Sequence, residues 1–288
     1  MTNWKPAILL ILTSVLTWSA SYAQTFGNEW IDYSQSYYQI KIVEDGVYRI
    51  DSAALANAGI PVGSILSENF QLFGREKEVP LHIVDGGDSS IDGGDYILLF
   101  AQRNDGWLDS TLYLDSSTVG SPGISLYNDT IQYFLTWNGS TSNLRYTVET
   151  DVDFASYTPA SHFMYTVRRS FTDEYYEGQK SSDITSSFFV PGEGWGGPKY
   201  DGVPGGWSST PSLSTPLSYT GAGAPNADFL ALCVSASNAI TWGSPYNHHL
   251  RLRLGNSGSI IQDTSFYGYA QIKTVASIAA SELGASGT

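Results

Sequence analysis

Gly94-Asp95-Tyr96-Ile97-Leu98-Leu99-Phe100-Ala101-Gln102-Arg103-Asn104-Asp105-Gly106-Trp107-Leu108-Asp109 decides the fold. Its apolar run, Tyr96 to Ala101, has the length and composition of a buried strand. Arg103-Asn104-Asp105-Gly106 ends that strand with turn chemistry, after which Trp107 and Leu108 are expected to re-enter an apolar environment. Upstream lies an acidic, glycine-rich loop carrying Asp85, Asp88, Asp92 and Asp95. Calcium prefers hard oxygen ligands on a flexible loop, so these four carboxylates are candidate Ca2+ ligands. The spacing is not that of an EF-hand and lacks its terminal bidentate Glu; the plain alternative is a solvated turn. If calcium binds, added Ca2+ raises the melting temperature and chelator reverses the rise.

Toward the N-terminus, Tyr38, Ile40 and Ile42 alternate with Gln39 and Lys41, the period of a half-buried strand. Glu44-Asp45-Gly46 turns the chain into a returning arm, Val47 to Ile50. Asp51 is placed to cap a helix over 52–58, which Gly59 and Pro61 terminate. Phe70 to Phe73 and Val79 to Val84 predict a hairpin about Gly74-Arg75-Glu76-Lys77, with Pro80 marking the second arm as an edge strand. Ile131 to Trp137 and Leu144 to Val148 read as further strands. Residues 24–151 thus form a first β-domain.

Residues 152–288 form a second. Phe163 to Phe171, Ser186 to Val190, Ala227 to Ala236 and His249 to Leu254 are strand-like, and Gly255-Asn256-Ser257-Gly258 turns toward Ile260 and Ile261. Gly192 to Trp207 reads as a long loop without regular structure. The expected class is all-β: two consecutive β-domains, sandwich- or jelly-roll-like, with one short helix near 52–58. Ser286-Gly287-Thr288 follow a strand-like segment with no closing element, as in a piece of a longer protein truncated within its second domain.

Residues 1–23 read as a signal peptide. Lys5 supplies the positive region, Ala7 to Leu16 the apolar region and Ser21-Tyr22-Ala23 the cleavage signal before Gln24. The apolar run is shorter than the roughly 20 residues of a membrane span. The remaining chain is expected to be exported, at the outer membrane and cell surface or extracellular, with no transmembrane segment. Net charge is −14, which repels phosphate backbones and argues against nucleic acid as a partner. With Cys233 the only cysteine, no internal disulfide is possible, so core burial must hold the fold.

Four blocks occur in order: Asn28-Glu29-Trp30-Ile31-Asp32-Tyr33; Glu44-Asp45-Gly46-Val47-Tyr48-Arg49-Ile50-Asp51; Gly94-Asp95 with Arg103-Asn104-Asp105-Gly106-Trp107-Leu108-Asp109; and Tyr127-Asn128-Asp129-Thr130 with Tyr133-Phe134-Leu135-Thr136-Trp137. Gly192-Glu193-Gly194-Trp195 and His248-His249-Leu250-Arg251 follow. The series resembles the amino-terminal region of gingipain-type cysteine peptidases, most closely the PorU-type sortases of the type IX secretion system. The resemblance implies all-β domains preceding a caspase-like domain whose His and Cys do the chemistry, at the outer membrane or cell surface. For the sortases it also implies removal of a C-terminal secretion signal with transfer to a surface lipid. The implied partners are the downstream catalytic domain of the same chain, a protein substrate and outer-membrane secretion components. No catalytic residue of that domain maps onto these residues, so this region is expected to be non-catalytic.

The candidate chemistry is sparse. Cys233 lies among apolar neighbours in Phe229-Leu230-Ala231-Leu232-Cys233-Val234 and reads as a structural thiol, since a nucleophile needs a lowered pKa and a nearby His. His248 and His249 would point to opposite faces of one strand and cannot easily grip one metal; His82 and His162 are solitary. Trp195, Tyr200 and Trp207 are a candidate aromatic platform for sugar or peptide, the bland reading being Trp residues folded onto their own domain. A secreted carbohydrate-binding β-sandwich module is therefore the alternative to the peptidase reading.

Overall fold

Tyr38, Ile40 and Ile42 turn inward while Gln39 and Lys41 face solvent, and this alternation makes β1 (Tyr38–Ile42). In the computed structural model, which describes residues 26–177, 187–198, 223–234, 248–254, 258–266 and 270–282, β2 (Gly46–Asp51) follows and runs directly into helix α1 (Ser52–Asn57). Asp51 sits at the N-cap, yet its side chain makes no capping bond; its Oδ1 accepts from Arg49 Nε at 2.6 Å instead. At the other end Gly59 N–H donates to Ala56 O and Ile60 N–H to Leu55 O, with Leu55 and Ile60 both buried. That is the Schellman pattern, in which an apolar contact accompanies the wrapped-back hydrogen bonds.

Next come β3 (Phe70–Gly74), β4 (Lys77–Val79) and β5 (His82–Val84). The expected single arm from Val79 to Val84 is two strands: β4 pairs with β3, whereas β5 pairs with β6 (Tyr96–Ala101) in a different sheet. Pro80 has no N–H to place in a ladder, so the chain changes sheets there, leaving β4 and β5 each at a sheet edge. With β7 (Ile131–Trp137), the orders are β1-β7-β3-β4 and β2-β6-β5. Every described pairing within them is antiparallel. Phe70, Leu72 and Leu135 from the first sheet, and Ile97 and Leu99 from the second, are fully buried, as are Leu81 and Ile91 from the connections.

The β3–β4 turn is tight: Gly74 pairs with Lys77, leaving Arg75 and Glu76 at φ 51° and 63°. A two-residue hairpin of type I′ needs positive φ at both central positions, which non-glycine residues adopt at a cost. Glu76→Gly is expected to raise stability by about 1 kcal/mol, read as a shifted urea midpoint at unchanged slope.

Trp30 organises the outer face of the first sheet. Its ring lies 4.9 Å from Phe73 and 5.3 Å from Phe134, a cross-strand pair, with Tyr37 edge-on at 5.6 Å. Beyond β7, the expected strand Leu144 to Val148 is a single bridge, Leu81 to Arg145. Arg145 and the buried Asn143 turn instead toward carbonyls: Asn143 Nδ2 donates to Glu68 O and Asn69 O at 3.1 and 3.0 Å.

Contacts divide the chain into two compact units. The first comprises the stretch up to Lys41, Gly46–Ala101 and Gln132–Thr147; the second comprises Ile42–Asp45, Gln102–Ile131 and the chain from Val148 onward. Within the second unit, β8 (Glu174–Tyr176) pairs with β9 (Gly194–Gly196), β10 (Ala227–Val234) with β13 (Gln271–Ile278), and β11 (His248–Arg253) with β12 (Ile260–Phe266), all antiparallel. Leu250 and Leu252 lie half-buried opposite exposed Arg251 and Arg253, as the alternation predicts. The expected strand Phe163 to Phe171 does not form; the segment has no ladder, and Phe163, Met164 and Tyr165 stay exposed. Phe189 makes one bridge, to Tyr113, where a strand over 186–190 was expected. The molecule is all-β and sandwich-like in character, with α1 and isolated 3-10 turns as its helical content among the described residues.

Candidate functional site

Asp85, Asp88 and Asp95 of the acidic loop turn their carboxylates to nearby hydrogen-bond donors. Asp85 accepts from Ser67 Oγ and from Gly87 N–H, Asp88 from Ser90 N–H, and Asp95 from Asp92 N–H. The Asp85–Gly87 and Asp88–Ser90 bonds are Asx turns, in which a short side chain replaces a backbone acceptor. Among the described residues no three His, Cys, Asp or Glu gather where one metal ion could hold them. The Ser67 hydroxyl, helped by the Gly87 N–H, holds Asp85 below its ordinary value of 3.8. A carboxylate depressed in the folded state contributes fully above the unfolded pKa and loses its contribution as pH falls below it. Thermal stability is therefore expected to decline below about pH 3.8, and Asp85→Asn to flatten that acid limb in a melting series.

Three of the distant sequence blocks meet in the second unit. Asp45 Oδ1 accepts from Arg103 N–H at 2.7 Å; Asn104 N–H donates to Asp129 O at 3.0 Å, and Asn104 Nδ2 to Asn128 O at 2.9 Å. Asn104 Oδ1 also accepts from Gly106 N–H at 3.1 Å. Gly106, at φ 75°, has no room for a Cβ, which would sit 2.8 Å from Ile124 O. The buried Asp109 accepts from Leu126 N–H at 2.7 Å, so the turn after β6 and the approach to β7 are one hydrogen-bonded body. Leu108, expected to re-enter an apolar environment, is exposed, while Asp109 is buried.

Trp195 is committed to the same neighbourhood. Its indole N–H donates to Leu126 O at 3.2 Å, its carbonyl accepts from Ser121 Oγ at 2.6 Å, and Tyr175 meets its ring edge-on at 5.4 Å. It lies on β9, so part of the stretch read as a loop is a strand. Tyr200 and Trp207, the other members of the expected platform, lie outside the described residues, as does the signal segment. Tyr175 donates to Glu193 Oε1 at 3.1 Å, and burial, reinforced by the Glu193 charge, pushes its phenol up to about 12. Glu193 also accepts from Val190 N–H, and its carbonyl from the Tyr113 hydroxyl. Every polar atom named here is engaged in holding the loop.

The remaining chemistry disperses. The Cys233 thiol is half-buried opposite Ile272, and burial pushes its pKa up, away from nucleophilic character. His248 stacks on Phe266 at 5.1 Å, while the exposed His249 shares Asp263 with Arg251 at 2.6 and 2.7 Å. The two neighbouring imidazoles thus have separate partners. His82 lies on β5, and His162 Nδ1 is 2.9 Å from Ser161 Oγ.

In the first unit, an open groove of about 450 Å³ is lined by Phe26, Gly27, Glu29, Trp30, Glu76 and Lys77. Glu29 Oε1 accepts from Phe26 N–H at 2.6 Å and Oε2 from Gly27 N–H at 3.0 Å, while Trp30 Nε1 donates to Gly27 O at 3.1 Å. Those backbone donors, Phe26 first, hold Glu29 below its ordinary value. Sequence reading passed over this group, because Trp30 stood in a polar lead with its ring partners about 40 and 100 residues away. Among the described residues no helix is long and apolar enough to cross a membrane. No protein-family model, curated protein or solved structure matches the chain.

Proposed function

We propose that this chain is a non-catalytic β-region of a secreted gingipain-type cysteine peptidase, most like the PorU-type sortases. It positions a protein substrate or an outer-membrane secretion component for a caspase-like domain carried further along the same polypeptide. One observation supports this reading above the rest. Asp45, Arg103, Asn104 and Asn128, drawn from separate blocks of the resembling series, join through hydrogen bonds of 2.7 and 2.9 Å and share one compact unit. Residues from distant blocks that spend their polar groups holding one another in space read as scaffold rather than chemistry.

Sequencing the gene past Thr288 tests the reading. An open frame into a caspase-like domain with a paired His and Cys upholds it; a stop codon within a few residues overturns it. Purified chain is expected to leave casein and peptide substrates uncut, and cleavage that disappears with Cys233→Ser would contradict the non-catalytic assignment.

A further inference from the structure

The groove at Trp30 lies outside the hydrogen-bonded group, Asp45, Arg103, Asn104 and Asn128, on which the peptidase reading rests. Its floor and rim are aromatic: Trp30 is held over Phe73 and Phe134, and Phe26 is 74% exposed. Exposure of that degree is shared by Tyr33, Tyr127, Phe154 and Phe163, so what singles Phe26 out is its place beside Trp30 on one groove. The groove volume of about 450 Å³ falls within the roughly 300–1,000 Å³ of small-molecule sites. Its walls are pre-formed. Glu29 is tied to two backbone N–H groups, and Gly27 lies so close to the Glu76 carboxylate that a Cβ would sit 2.3 Å from Oε1.

The polar groups select the ligand. Ionised Glu29 and Glu76 only accept hydrogen bonds, while the Lys77 ammonium only donates. An anionic ligand meets two carboxylates, and Lys77 offsets only one of them, so the groove admits a neutral or cationic ligand. A neutral polyol satisfies all three, because each hydroxyl both donates and accepts, and charged partners strengthen such bonds. The apolar C–H face of a sugar ring completes the match by stacking on indole or phenyl. We propose that this groove binds a saccharide, one or two pyranose rings, between Phe26 and Trp30 with Glu29, Glu76 and Lys77 on its hydroxyls.

The test titrates the full chain with glucose, galactose, mannose, N-acetylglucosamine and their β-linked disaccharides, read by saturation-transfer NMR and calorimetry. N-acetyl-lysine amide and inorganic phosphate serve as charged controls. At least one saccharide is expected to bind while both controls do not. Phe26→Ala and Glu76→Gln are each expected to weaken it at least tenfold without lowering the melting temperature. Trp30 is not varied, because its stacking also holds the N-terminal stretch. Failure of every saccharide, preference for the lysine amide, or binding indifferent to both substitutions overturns the proposal. None of these outcomes bears on whether the gene continues into a peptidase domain.

Discussion

Replacing Arg145 with alanine is expected to cost about 3 kcal/mol of folding free energy and to lower the melting temperature by roughly 6–12 °C. The reason lies in what its guanidinium supplies. Nη2 donates to Ser67 O, Glu68 O and Phe70 O at 3.2, 2.8 and 2.9 Å, and Nη1 donates to Leu144 O at 2.9 Å. Ser67 O also accepts from Phe70 N–H, Glu68 O from Asn143 Nδ2 and Leu144 O from Leu81 N–H, so the guanidinium adds a charged donor to carbonyls already in use and ties the Ser67–Asn69 turn to Phe70 and Leu144. A hydrogen bond from a charged donor contributes about 1.5–3 kcal/mol, and Phe70 O is the carbonyl most dependent on this one, so the loss exceeds that of an exposed ion pair. Burial pulls the guanidinium pKa below its ordinary value, with the Glu78 and Glu68 charges opposing, and an arginine so placed keeps its charge. Arg145→Lys keeps the charge but not the planar fork and is expected to lose roughly half as much. Chemical denaturation of the pair decides the matter. If Lys matches Arg, fork geometry is irrelevant, and if Ala matches Arg, water already satisfies those carbonyls.

Gly74→Ala is expected to be nearly as damaging, at about 2–4 kcal/mol, although it adds a single methyl group. A Cβ at that position would lie 2.2 Å from Tyr133 Cε1 and 2.4 Å from Cδ1. Tyr133 is 3% exposed on the adjacent strand β7, so its ring cannot swing out to make room. The ring covers the bare glycine backbone, so shortening the ring as well relieves the clash. Gly74→Ala with Tyr133→Leu is therefore expected to lose less than the sum of the two single changes, a coupling that a double-mutant cycle measures directly. Additive losses would mean that the ring and the glycine do not meet in solution.

Much of the first unit was legible because its strands obey local rules. Ile131 to Trp137 was bounded correctly by its apolar composition and the Asn138-Gly139 stop, and the alternation around Ile40 marked β1. Pro80 was recognised as hostile to a ladder, but one sequence cannot show that residues on either side belong to different sheets. Phe163 to Phe171 illustrates the opposite failure. Its composition favours a strand, yet strand propensity is realised only where a neighbour supplies hydrogen bonds. Gly194-Trp195-Gly196 was missed as a strand because two glycines hide it, and its partner, Tyr175, lies about 20 residues upstream. Of the aromatic platform, Tyr200 and Trp207 lie outside the described residues, and Trp195 alone has a described environment. Trp195 stood out in a glycine-rich loop, and its N–H and carbonyl are both bonded within its own unit.

The crossing at Pro80 and Leu81 has a mechanical consequence. β4 closes one sheet, β5 closes the other, and two residues join them. Leu81 is wholly buried, its N–H bound to Leu144 O and its carbonyl to Tyr146 N–H. Force applied to either edge strand is delivered to the other through a link that has no slack. The sheets therefore cannot fray in turn from this side; native-state amide exchange across β3, β6 and β7 is expected to proceed through one shared opening with a common denaturant slope. A short covalent crossover thus makes two small sheets, each marginal alone, rise and fall as a single cooperative element.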